Sequence, residues 1–154
     1  LRDVAQKMSW RSPNKALDWL RQFENDEGYE EAWSTVVRRI SMDKPEQALA
    51  YAFERESSDV TQRLISTIAS RWRGKNNEQF DHWMSSSATT EQRDAVLFSM
   101  VRNAARNKPE QAAEWASQIV SSSVRSDANR FIEQAQKAKI ALAESIQQAG
   151  NKTN

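Results

Sequence analysis

The chain has 154 residues, a formal net charge of +1, no cysteine, and only three glycines and three prolines. That length fits one domain, so few turn-forming residues fit an all-α protein, and the near-balance of charge argues against a dedicated binder of duplex nucleic acid. Disulfides and thiolate metal sites are excluded with the thiols, and no apolar run reaches the roughly 18 residues that a membrane span needs.

Residues 1–12 read as half a repeat, with Val4, Ala5, Met8 and Trp10 as its apolar positions and Trp10 the most exposed tryptophan. From there the chain aligns with itself every 32 residues: Pro13, Pro45, Asn77 and Pro109 share a column, as do Trp19, Tyr51, Trp83 and Trp115. Ala16, Ala48, Phe80 and Ala112 form a third column, about one helical turn before the rings. A fixed period in this range is the mark of stacked units that bury their apolar faces on one another. The expected repeats are 13–44, 45–76, 77–108 and 109–150 in a single domain over 1–150, with 151–154 a frayed tail.

Each repeat predicts two helices, A and B. Helix A opens at the proline column, where the fixed φ of proline suits the first helical turn. Ser12 and Asn76 are the expected side-chain caps, whereas Lys44 and Lys108 are poor ones. The A stripe runs through Ala16, Trp19, Leu20 and Phe23 and its equivalents, with the rings expected in the core. Polar turns at 25–28, 57–59, 85–90 and 121–123 lead into helix B. The B columns hold Ala32, Trp33, Val36, Val37 and Ile40, then Leu64, Ile65, Ile68, Ala69 and Trp72, then Val96, Leu97, Met100, Val101 and Ala104. In the last copy they decay to Ala128, Asn129, Ile132, Glu133 and Gln136, as a terminal capping helix requires. A seam through Ala135, Lys139, Leu142, Ile146 and Ala149 continues this helix, read as packed on the preceding repeat, with a short contact to a partner as the alternative.

A helical hairpin with a proline between units and an aromatic about six residues into the next helix resembles the tetratricopeptide repeat. The resemblance rests on Pro13/Trp19, Pro45/Tyr51 and Pro109/Trp115, and it departs from the family in lacking the Leu-Gly pair after the aromatic. It implies a right-handed α-solenoid of antiparallel hairpins and a role in binding proteins or peptides.

Two polar ladders are candidate binding surfaces. On the A helices, Gln47, Gln79 and Gln111 occupy one column with His82 beside it, and a carboxamide can pair with the backbone of an extended peptide. Towards the ends of the B helices stand Arg38 and Arg39, Arg71 and Arg73, and Arg102 and Arg106, preceded by Lys7 and Arg11. Cations there offset the helix macrodipole and also suit an acidic segment. No catalytic residue, metal site or cofactor is expected: His82 is the sole histidine, and no phosphate loop or nucleophile elbow occurs. The expectation is a non-catalytic protein- or peptide-binding module. The alternative is the helical scaffold of a larger enzyme, such as a cell-wall lytic enzyme, with its chemistry elsewhere. A first residue of Leu1 fits a piece of a longer protein, and the compartment is left open.

Overall fold

A computed structural model describes residues 1–151 of the chain; the expected tail at 152–154 lies outside the described residues, while Asn151 belongs to the last helix. The described residues form nine α-helices and no strand, in two compact units, Leu1–Ser87 and Ala88 onward.

The first unit contains α1 (Arg2–Arg11), α2 (Pro13–Leu20), α3 (Tyr29–Ile40), α4 (Pro45–Phe53), α5 (Asp59–Lys75) and α6 (Asn77–His82). A 3-10 turn at Arg21–Phe23 extends α2, and a π-helical turn at Trp83–Ser87 extends α6. Within it α1 packs on α2 and α3, α2 on α3, α3 on α4 and α5, α4 on α5, and α5 on α6. The second unit contains α7 (Thr90–Ala104), α8 (Pro109–Ser117) and α9 (Ser122–Asn151), each packed on the other two.

The 32-residue period is written in the backbone as well as the side chains. Ser12, Lys44, Asn76 and Lys108 all leave the helical region, with φ of -154°, -135°, -151° and -138°. A residue before proline is driven from the α region by clash with the ring, and Asn76 follows the same path before Asn77. Each of the four donates its N–H to the carbonyl four residues back, at Met8, Ile40, Trp72 and Ala104, over 2.7–2.9 Å. Each then accepts the first N–H of the next helix, from Ala16, Ala48, Phe80 or Ala112, at 3.0–3.1 Å. One residue thus ends a B helix and starts an A helix, and its backbone does most of this. Of the two expected side-chain caps, Asn76 acts, its Oδ1 accepting from Gln79 N at 3.0 Å. Ser12 holds the cap position without a side-chain cap bond, a correction of the expectation, because Pro13 already imposes the break.

The other junctions use local chemistry. Gly28, at φ 81°, supplies the left-handed turn into α3 that a side chain would strain. Ser58 Oγ accepts from Thr61 N at 3.1 Å to cap α5. Thr89 and Gln92 form a reciprocal capping box at α7, with bonds of 3.0 and 3.2 Å. Ser85–Ser87, expected as a plain turn, lie in the π-helical turn, where Ser85 Oγ donates to the carbonyls of Asp81 and His82. Such back-bonding competes with the regular helical ladder.

All fifteen residues in the first three sets of B columns are buried, Val36, Val37, Val96 and Val101 completely. Each fully buried Leu or Val contributes roughly 1.5–3 kcal/mol relative to exposure. In the half repeat Ala5 and Ser9 are enclosed, while Val4 is exposed and Trp10 is 63% exposed, as expected for that tryptophan. The A stripe holds as expected for Phe80 and Trp83 and for Ala112, Ala116 and Ile119, all buried, but is turned in α2 and α4. Ala16, Leu17 and Leu20 centre the buried face of α2, and Ala48, Leu49 and Ala52 that of α4. Trp19, Tyr51 and Trp115 are half-buried at the rim instead of in the core, and Trp83 alone of its column is buried. Trp19 covers this rim with Phe23, one turn on, their ring centroids 4.8 Å apart. Trp72, Phe80 and Trp83 form a separate cluster, with centroid separations of 5.6, 5.5 and 6.4 Å.

The capping helix is also corrected in part. Its first half packs: Ala128 is buried, Phe131, Ile132 and Ala135 are half-buried, and Gln136 Nε2 donates to the carbonyl of Ala105. From Lys137 to Asn151 every residue is exposed, Leu142 and Ile146 included. No helix among the described residues is long and apolar enough to cross a membrane.

Candidate interaction surface

The two ladders differ in what their side chains already hold. Gln79 is exposed, but its Oε1 accepts the indole N–H of Trp72 at 3.1 Å, so it serves the aromatic cluster of α5 and α6. Gln47 is half-buried; its Nε2 reaches the Tyr51 hydroxyl at 3.5 Å and its Oε1 is buried without a hydrogen-bond partner. A small cavity of about 80 Å³, lined by Pro13, Asn14, Ile40, Asp43, Lys44 and Gln47, lies there. Gln111 is half-buried on α8 and His82 is exposed at the end of α6. Helices α4 and α6, which carry Gln47 and Gln79, are not among the closely packed pairs.

The basic ladder of the first unit gathers at one end of α1, α3 and α5. Two contacts establish this. The Arg39 guanidinium lies over the Trp10 ring, 5.2 Å from its centroid, tying the end of α3 to the end of α1. Lys75 Nζ donates to the Met42 carbonyl at 3.0 Å, tying the end of α5 to the turn after α3. Around them Lys7, Arg11, Arg38 and Arg71 are exposed, and Arg39 and Arg73 are half-buried. One carboxylate, Asp43, sits among these cations and bonds Arg39 at 3.2 Å. In the second unit Arg102 lies 5.4 Å from the Phe131 centroid, and Arg106 is exposed.

The opposite end of α3 is acidic. An open cleft of about 510 Å³ there is lined by Glu24, Asp26, Glu27, Glu30, Glu31 and Arg55, among others. Carboxylates in the first turn and arginines in the last both complement the helix macrodipole. Arg55 stacks on Tyr29 and Trp33, 5.1 and 4.9 Å from their centroids.

Sequence reasoning passed over Arg55 and Asp94, because both act at long range. Asp94 on α7 is 3% exposed, and its two oxygens accept the N–H groups of Val120 and Ser121 at 2.9 and 2.8 Å. The carboxylate thereby holds the α8–α9 turn onto α7. A buried charge is tolerated when its lone pairs are met in this way. Among the described residues, no three His, Cys, Asp or Glu side chains converge to hold a metal ion. No protein family, curated protein or solved structure matches the chain.

Proposed function

We propose that the chain is a right-handed stack of antiparallel helical hairpins, similar to tetratricopeptide repeats, that acts as a non-catalytic module. It binds an acidic protein or peptide segment through the helix ends of α1, α3 and α5. The stack is supported by the four like junctions and by the pattern in which α1, α3 and α7 each touch the next two helices. The observation that carries the binding reading is the gathering of exposed Lys7, Arg11, Arg38 and Arg71 on one edge, with two contacts holding that edge together. The glutamine ladder supports it less well, since Gln79 is engaged by Trp72. Rigid helices fix the cations before a partner arrives, which lowers the ordering cost of association.

The test is a titration with fluorescein-labelled oligoglutamate, in low and physiological salt. The wild-type chain binds and weakens with salt, and the double change Arg38→Glu and Arg71→Glu lowers affinity by about tenfold or more. Binding unchanged by that double change would discard the basic edge.

A further inference from the structure

The basic edge carries a second feature that dipole compensation does not call for. Trp10 and Met42 are 63% and 44% exposed; Trp10 stands in the last turn of α1 and Met42 in the turn after α3, both among cations. They occupy one column of the 32-residue period, and the next member of that column is Gly74. Three residues before each stands a cation: Lys7 before Trp10, Arg39 before Met42, Arg71 before Gly74. The second unit breaks this pattern, with Asn103 and Arg106 in the two columns. In the first unit the side chains of the row diminish from ring to thioether to hydrogen, and a Cβ placed on Gly74 would meet nothing within 4 Å. The row is a stepped apolar track beside a row of positive charge.

We propose that this track selects, among acidic segments, those with an apolar side chain at every third residue in an extended, polyproline-like conformation. The inference rests on the basic-edge reading and names its partner more closely. Packed helices lie about 8–10 Å apart. In polyproline II, with three residues per turn and a rise of about 3.1 Å, every third side chain falls on one face about 9.3 Å further on. An apolar residue of such a segment therefore meets Trp10, the next meets Met42 and a third fills the step at Gly74. The intervening carboxylates face Lys7, Arg38, Arg71 and Lys75. A single-stranded nucleic acid fits less well, because base stacking needs successive flat platforms and the row has one ring. A lipid surface fits less well because a planar bilayer does not follow a step.

Two labelled peptides of equal length test this, one of Leu-Glu-Pro repeats and one of Ser-Glu-Pro repeats, with oligouridylate and phosphatidylserine vesicles as further arms. The Leu peptide binds about tenfold tighter than the Ser peptide, as burial of several leucines predicts. Trp10→Ala, which also releases Arg39, weakens both peptides but the Leu peptide severalfold more, while Met42→Ala leaves Ser-peptide affinity unchanged and reduces the preference for the Leu peptide severalfold. Gly74→Leu increases it. Trp10, Met42 and Gly74 are exposed, so an unchanged thermal melt establishes that each variant is folded. Equal binding of the two peptides, both lost in Arg38→Glu with Arg71→Glu, would overturn the apolar track and leave the basic edge standing. No binding of either peptide would overturn both. Binding of oligouridylate or vesicles that depends on Trp10, with the peptides inert, would overturn both in favour of that ligand.

Discussion

Helices α5 and α9 carry equivalent columns of the 32-residue sequence period, yet only α5 is buried along its length. Its columns hold Leu64, Ile65, Ile68, Ala69 and Trp72, none more than 4% exposed, with α3, α4 and α6 packed against it. In α9 the same columns hold Ala128, Asn129, Ile132, Glu133 and Gln136, of which Ala128 alone is buried, and the helix runs on for a further fifteen exposed residues, Lys137–Asn151. The period therefore sets where a helix starts and which way it faces. The side chains in its columns set how much of it is held. An apolar heptad-like seam is not sufficient: Leu142 and Ile146 are in phase with Ile132 and remain in water.

The largest effect should come from the buried side of this contrast. Leu64→Ala, at a position 1% exposed, should lower unfolding stability by about 2–5 kcal/mol in urea titration, through lost burial and a cavity. A loss below about 1 kcal/mol would mean that α5 is not packed as described. Asp94→Ala should come next. Two N–H groups, at Val120 and Ser121, lose a charged acceptor, for an expected loss of about 1.5–3 kcal/mol in the same titration. Ser58 and Ser121 both accept an N–H three residues on, at 3.1 and 3.5 Å, but the turn before α9 is held in addition by a carboxylate 26 residues away. Leu142→Ala should be the smallest effect, within about 0.5 kcal/mol of wild type, since 48% of the residue is already exposed.

The helical class, the four junctions and the B-helix core were legible because they recur in phase. Val36, Ile68 and Met100 repeat an apolar type at a fixed position, and such a column can be read without coordinates. The rim position of Trp19 and Trp115 was not legible. Both are large and periodic, but Leu17 and Leu49 turn the buried face away from the ring column, and their own column is broken by Asp81 in the third copy, so it does not stand out as apolar. Polar residues at close helix contacts were hidden for the opposite reason. Ser9 and Ser41, 2% and 6% exposed, look like surface residues until their hydroxyls are seen donating to the carbonyls of Gln6 and Arg38 at 2.7 Å. Asp94 and Arg55 act across 26 residues, beyond any local pattern. On the candidate surface the basic residues were legible, while the engagement of Gln79 by Trp72 and of Arg39 by Trp10 emerged from the folded contacts alone.

Native-state hydrogen exchange, resolved by residue along α5 and α9, tests most directly the claim that the filling of the repeat columns decides what is held. Protection should be high and continuous through 61–72, present at 126–136, and fall to that of an isolated helix beyond Lys137. Uniform protection along all of α9, or exchange in α5 as fast as at the end of α9, would contradict it.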